Sequence, residues 1–417
     1  MVEYNPKNIY YICKYKFMLM KILNLHIKNI GPFRDANLDF ASDFKETVPV
    51  TIITGMNGAG KSIIIDAIRA VFCGGNVLER NIVADSSNFI IEMEFEDYNG
   101  KQKVFTSHLD GDMQIQPAVD YNTITIPLRY GYNKSAKIHP WVIDYWSAKA
   151  PTDSFNIKNM ANINHLDVMK NVMSGRKSNL DLVNFICQID YLRSSEMPSE
   201  KELGEVVYGK LKEIVEACLD KGIFKYVRRG DLTPIIEQNG TELSLEKLSS
   251  GNLFLLEHLL LLLCKMYSVS VLNGMKPDDI VNIPGLLLID EIETHMHPKW
   301  QKKILGIIRR FFPNLQIILT THSPFVVASI DGARIYTCVS RTGYSEVCDE
   351  TERYAHMPVE EVLMSDAFGE VHPFNDEIAD LMHERKKFIE EGRKDAAKEI
   401  EDRLYSMNPE YFSYLKF

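Results

Sequence analysis

Apolar residues recur along this chain in three different rhythms, and each change of rhythm marks a change of element. Met20–Ile30 reads as an opening strand and Ala36–Phe40 as a second, while Phe89–Phe95 alternates apolar with polar residues and Lys103–Thr106 returns beside it. Gly31-Pro32 and Asn99-Gly100 supply turns between them, so the second pair reads as part of an antiparallel meander. Val50–Thr54 is a β-branched run of strand character, and the four aliphatic residues Leu286–Ile289 predict a buried strand as in a parallel sheet. Leu315–Leu319 repeats that design, and His139–Trp146 reads as a further strand. Helical spacing appears in Ile63–Phe72, in Asn179–Leu192 and from Glu200 to Leu219, so residues 154–230 are expected to be mainly helical. Beyond Val339 the sheet is expected to stop. Met357–Gly369 then reads as a short helix closed by glycine, and Glu377–Tyr405 as an amphipathic helix pair.

Composition changes this picture little. At 417 residues, with 45% apolar and 25% charged residues, the chain has the make-up of a soluble globular protein of one elaborated domain or a few smaller ones. A net charge of −10 argues against a molecule that binds nucleic acid over its whole surface, though a local basic groove stays open. Seven scattered cysteines without a C-x-x-C pair point to reduced thiols in a cytoplasmic setting, not to a disulfide framework or zinc site. The strongest apolar run, Leu253–Cys264, is too short for a membrane span and contains Glu257 and His258. Residues 1–17, rich in Tyr and Lys, lack a secretory leader's pattern. They read either as an upstream extension of the reading frame or as an ordinary arm.

The chemistry begins at Gly55-Met-Asn-Gly-Ala-Gly-Lys-Ser62, a G-x-x-x-x-G-K-[ST] phosphate-binding loop set between a strand and a helix. Its glycines let successive N–H groups face phosphate oxygens, and the helix N-terminus adds a favourable dipole. Asn57, Gly58, Gly60, Lys61 and Ser62 are therefore expected to hold ATP, with Lys61 at the β- and γ-phosphates and Ser62 on Mg²⁺.

Two strand tips complete the set. Asp290 and Glu291 follow the aliphatic run at 286–289, where paired carboxylates are costly unless a metal and a water account for them. Asp290 is the expected Mg²⁺ ligand and Glu291 the expected base. Thr320, Thr321, His322 and Ser323 end the next buried strand in parallel, which places His322 near the γ-phosphate. His295 and His297, spaced i, i+2 beside Pro298, read as an interface loop and not as metal ligands.

In order, the phosphate loop, Leu248-Ser-Ser-Gly251, Leu287-Leu-Ile-Asp-Glu291 and Thr321-His322 resemble the ATP-binding cassette ATPases. The likeness is to the group holding the structural-maintenance-of-chromosomes (SMC) heads, RecF and the overcoming-lysogenization-defect (OLD) ATPases. Asp290-Glu-Ile-Glu-Thr-His-Met-His-Pro298 with Trp300-Gln301 is similar to the small bacterial anti-phage ATPases, including the Septu and retron-associated PtuA group. The resemblance implies an α/β fold: an ABC-type P-loop ATPase head with a mixed sheet plus an antiparallel β-meander, an inserted helical lobe and a C-terminal helical extension. Its expected parts are an N-terminal extension (1–19), a first ATPase lobe (20–153), the inserted lobe (154–247), the remaining ATPase part (248–350) and a C-terminal helical region (351–417).

It also implies a head-to-head dimer or higher oligomer, in which Ser249, Ser250 and Gly251, opening a helix near Asn252, meet the partner's ATP. The function implied is an ATP-hydrolysing sensor or motor subunit of an intracellular defence complex. Its effector would be a separate protein, a nuclease by preference. Nucleic acid remains a candidate partner, and a membrane does not. Two other readings stay open: a RecF-like DNA-repair ATPase, and an ATP-binding scaffold with little turnover. Asn252 stands where the family commonly has an acid, and the loop after Trp146 offers no metal-sensing glutamine.

Overall fold

The computed structural model of the chain describes residues 20–41, 50–86, 88–109, 114–134, 138–148, 157, 159–175, 180–219, 221–369 and 374–416. The N-terminal extension expected over 1–19 lies outside the described residues. In chain order the strands are β1 (Lys21–Ile30), β2 (Phe33–Asp39), β3 (Val50–Gly55), β4 (Ile90–Asp97), β5 (Gly100–Thr106) and β6 (Val142–Trp146). There follow β7 (Gly222–Arg228), β8 (Thr233–Gln238), β9 (Thr241–Ser244), β10 (Gly285–Ile289), β11 (Leu315–Thr320), β12 (Arg334–Arg341) and β13 (Tyr344–Asp349). Ten of them form one sheet in the order β5-β4-β1-β2-β13-β12-β3-β11-β10-β6.

The two rhythms in the sequence correspond to two halves of this sheet. β12, β3, β11, β10 and β6 are parallel neighbours, and every residue of β3, β10 and β11 is buried. β5, β4, β1 and β2 are antiparallel, and β4 alternates buried with half-buried positions. The meander is thus continuous with the parallel half, and the architecture is the α/β mixed-sheet head expected.

One expectation fails: the sheet does not stop after Val339. β12 runs on to Arg341 and returns through Gly343, at φ 83°, into β13. β13 then touches β2 in parallel through Ser345 and Phe33, which joins the two halves. The half-exposed strand has too little apolar content to announce itself.

The insertion also differs from expectation. Helices α2 (Leu182–Leu192) and α3 (Pro198–Ala217) follow α1 (Lys61–Cys73), but β7, β8 and β9 then make a three-stranded antiparallel sheet. Phe224, Val227, Ile235 and Ile236 are buried, and the turn at Asn239-Gly240 takes positive φ at both residues. Residues 154–247 are not purely helical, because 222–244 carries strand alternation and a hairpin turn.

α4 (Ser250–Asn273) is the core helix of this part. Apart from His258 it is buried continuously from Phe254 to Ser270, so its apolar residues are spread round the whole circumference. Among the described residues it alone is long and apolar enough to cross a bilayer, and 83% of its most apolar window is buried inside the fold. Within that core, Lys265 of α4 donates to the buried carboxylate of Asp144 on β6. The same carboxylate accepts Trp146 Nε1–H at 3.1 Å.

Residues 357–417 form a second compact unit, a few residues later than the expected start at 351. Thr351 belongs to the first unit, where its hydroxyl accepts the N–H of Ile335 at 3.0 Å. The second unit pairs α6 (Asp376–Glu390) with α7 (Lys394–Met407), after the short α5 (Ile304–Phe311) of the first. Asn375 caps α6, Gly392 makes the turn at φ 72°, and Leu381, Ile400, Leu404, Phe412 and Leu415 form a small core.

Truncating Lys265 to Ala would strand the Asp144 charge in the core. The expected loss is about 3–5 kcal/mol of unfolding free energy. Asp144→Leu with Lys265→Met should recover most of it in urea titrations, leaving the Trp146 indole and Tyr145 backbone N–H groups without the Asp144 acceptor as the remaining penalty.

Candidate nucleotide site

β3 delivers the phosphate loop from the middle of the sheet, and α1 carries the chain away. Gly55 and Gly60 are required by space as well as by φ, at 135° and 100°. A Cβ on Gly55 would lie 2.3 Å from the Cys338 carbonyl oxygen, and one on Gly60 would lie 2.7 Å from the Phe33 ring and Pro32. Around Gly58, at φ 79°, a Cβ would meet nothing within 4 Å, so that glycine serves conformation alone. The first turn of α1 has no side-chain cap and no acid, although helix starts favour both. The backbone N–H groups and dipole of such a helix start suit an anion.

Lys61 is buried, and its Nζ donates to the carbonyls of Gly55 and Met56 at 2.9 and 3.0 Å. Desolvation pulls its pKa down, while Cys338, Glu291, Glu293 and Asp290 pull it back up. Ser62 Oγ donates to Asp290 Oδ1 at 2.8 Å. Thr320 Oγ1 donates to the same oxygen at 2.6 Å and accepts the N–H of Glu291 at 2.8 Å. A serine hydroxyl and a carboxylate are the hard oxygen donors that Mg²⁺ takes from a protein when phosphates and waters supply the rest. The residues present therefore fit Mg²⁺-ATP.

Glu291 leaves the strand at φ 52°, in the left-handed region that costs an L-residue roughly 1 kcal/mol or more. Its carboxylate makes no hydrogen bond among the described residues. His322 Nδ1 lies 3.4 Å from Lys61 Nζ. Burial, helped by the Lys61 charge, lowers its pKa to about 4, so the imidazole is neutral at neutral pH.

Lys61, Ser62, Asp290 and His322 are thus brought together. Ser249, Ser250 and Gly251 are not: no hydrogen bond or ion pair among the described residues joins them to the phosphate loop. Ser249 caps α4 by position and the helix begins at Ser250, two residues earlier than expected near Asn252. Both serines are exposed. Gly251 sits against the chain's own 291–297 connection, where a Cβ would lie 2.5 Å from the His295 carbonyl oxygen. In that connection His297 Nδ1 accepts the N–H of Lys299 at 3.3 Å. Among the described residues no group of three or more His, Cys, Asp or Glu is placed to hold a metal ion.

Two residues of the site escaped the sequence reading. Glu293 accepts Thr321 Oγ1–H at 2.7 Å and the His322 N–H at 2.5 Å. Gln301 accepts Ser323 Oγ–H at 2.6 Å. The available signal was a third acid so soon after Asp290 and Glu291, facing a run of hydroxyls on the adjacent strand tip.

Comparison with known proteins finds matches among ATPases. The family described as "AAA domain" matches residues 24–220, and the family described as "AAA domain, putative AbiEii toxin, Type IV TA system" matches residues 173–328. The retron Vc95 probable ATPase of Vibrio cholerae serotype O1 biovar El Tor is 35% identical over 111 residues, 27% of this chain and 21% of that protein. Septu protein PtuA of Bacillus thuringiensis is 25% identical over 316 residues, 74% of this chain and 73% of that protein. The chain spans about a fifth of the retron relative's length. The SMC head domain from Thermotoga maritima superposes with a TM-score of 0.43 at 17% identity, over 79% of this chain and 99% of that one.

The His322 ring gives a direct test of the apo site. Its NMR titration should have a midpoint below pH 5, and nucleotide should raise it by placing anionic oxygens nearby. Because the folded state resists a proton that the unfolded chain accepts near pH 6.5, His322 should lower stability as pH falls from 6.5 toward 4. His322→Gln should flatten that part of the stability profile.

Proposed function

We propose that this chain, an SMC/RecF-like ATPase related to Septu PtuA and the retron ATPases, binds ATP with Mg²⁺ and hydrolyses it to ADP and phosphate. The observation that carries the reading is the Ser62–Asp290 hydrogen bond beside a Glu291 carboxylate with no hydrogen bond among the described residues. Lys61 and the first-turn amides of α1 bind the phosphates. Ser62 and Asp290 hold Mg²⁺, which when bound neutralises charge on the phosphate oxygens. Glu291 orients and deprotonates the attacking water, and neutral His322 contacts the γ-phosphate. The exposed Ser249 and Ser250, with Gly251, close the site on a second copy's nucleotide, so the working form is a head-to-head dimer or a larger oligomer.

In the cell we place the chain in the cytoplasm, as the sensor or motor subunit of an anti-phage defence complex whose effector is a separate protein, by preference a nuclease. The relatedness to Septu PtuA and a retron ATPase supports this placement. One observation favours the RecF-like reading. From Thr294 to Ile330 the chain has no acidic residue but five cations, of which Lys299, Lys302, Lys303 and Arg310 are exposed. A nucleic-acid backbone fits such a stretch even on an acidic chain. Stimulation of ATP turnover by duplex DNA, lost on Lys302→Glu with Lys303→Glu, would favour it.

Glu291→Gln should keep ATP binding and lower turnover about 10²- to 10⁴-fold. Lys61→Ala should weaken binding by about 10- to 100-fold. Equal turnover by wild type and Glu291→Gln would remove Glu291 from its role.

Mixing Lys61→Ala with Ser250→Glu chains tests the composite site. Glutamate suits the first turn of α4, so the fold is preserved while the charge opposes a γ-phosphate. Partial recovery of activity on mixing is expected, whereas specific activity that survives dilution to monomer would show that each head is complete alone.

The purified chain should leave DNA uncut with Mg²⁺ or Mn²⁺. Deleting 374–417 should disturb assembly, read by light scattering, more than nucleotide binding. Metal-dependent cleavage by Glu291→Gln protein alone would place an effector on this chain.

A further inference from the structure

Glu293 is the one acid of its neighbourhood whose two carboxylate oxygens are both engaged by the opposite strand tip. Oε2 accepts from the Thr321 hydroxyl, and Oε1 accepts from the backbone N–H of His322. Thr321 itself is fully buried and its Oγ1 accepts the Ser323 N–H at 3.0 Å, so the turn that carries His322 is tied at three successive residues. Ser323 is tied again through its hydroxyl to Gln301, whose Nε2 donates to the Met296 carbonyl at 2.8 Å. The side-chain acceptors outside the turn come from residues 293–301, while the Thr321 N–H donates to the Ile53 carbonyl of β3 at 3.0 Å, so the histidine loop hangs on the segment that follows the acid pair as well as on the sheet. Burial pushes the Glu293 carboxyl above its ordinary range, against the hydrogen bonds that favour its charge. Such a group is kept in place by its partners, not by water.

We infer that Glu293 is a positioning residue, which fixes the backbone at His322 and so presents the imidazole to the nucleotide. This rests on the hydrolytic reading of the site. Glu293 does not replace Glu291 as base, because neither of its oxygens is left for a water along the directions its two donors occupy, whereas Glu291 has no such partner among the described residues. The arrangement adds a side-chain tie between two strand tips that the β10–β11 pairing already holds together. The acid strand and the histidine strand are tied through Glu293 before any phosphate arrives.

The test is a set of three variants in the full chain, read by steady-state ATP turnover and by nucleotide affinity. Glu293→Ala should lower kcat about 10- to 100-fold, the range seen when groups orienting a catalytic ligand are removed, with ATP affinity unchanged. Glu293→Gln keeps an acceptor for the His322 N–H and should restore most of kcat. Thr321→Val removes one of the two bonds and should fall between. A merely structural role would lower affinity and stability together and would not be rescued by glutamine. Wild-type kcat in Glu293→Ala, or equal loss in the alanine and glutamine variants, overturns the inference.

The His322 ring signal of ¹⁵N-histidine-labelled protein with bound ATP supplies a readout independent of turnover. It should be displaced in Glu293→Ala, return in Glu293→Gln, and lie between in Thr321→Val. If wild type binds ATP but does not turn it over, the hydrolytic reading fails, and this signal still decides the positioning role. Should Glu293→Ala not fold, an unmoved signal in Thr321→Val overturns the inference and a moved one supports it.

Discussion

Asp290 can receive Ser62 only because three parallel strands end level. β10 pairs with β11 so that Ile289 lies beside Leu319, and β11 pairs with β3 so that Thr320 lies beside Ile53. That register puts the Thr320 hydroxyl between the two strand tips, bonded to both Asp290 and the Glu291 N–H. On the other side the Asp290 N–H donates to the Trp146 carbonyl at 2.9 Å, so β6 holds the same tip. A slip of one residue would turn Asp290 to the opposite face and separate it from the helix that begins at Lys61. The full burial of β3, β10 and β11 is what forbids such a slip. The site's geometry is thus a by-product of core packing.

The same dependence explains what the sequence disclosed. Glycines with enforced positive φ, a buried run ending in acids, and a second run ending in hydroxyls and histidine are local patterns, and each marks its own strand tip. Glu293 is different, because its meaning lies in a contact with Thr321 and His322 that pairing between β10 and β11 creates. Nothing within a few residues of Glu293 shows that its partners stand on another strand. The Asp144–Lys265 pair was hidden for the same reason: each residue looks like an ordinary charge until the strand and the helix meet.

Misreadings of period had another cause. β13 and the β7–β9 sheet are exposed on one side and rich in charged and polar residues, so alternation there competes with little apolar signal. The α4 helix shows the opposite difficulty. Covered on all sides, it has apolar residues around its whole circumference, and no periodicity remains to distinguish it from a membrane segment.

The place of β3 in the sheet has a consequence for how the protein is made. β3 and the phosphate loop belong to the first part of the chain, yet both neighbours of β3, β11 and β12, lie far toward the other end. As the chain leaves the ribosome, the glycine loop emerges early and then waits, with the flanks of its strand unpaired, through the whole insertion and α4. Contacts so distant in sequence close slowly, and until they close a strand rich in β-branched residues stays open to wrong partners. Competence to hold a nucleotide is therefore a late event in synthesis, attained only after residues 334–338 have taken their place beside β3.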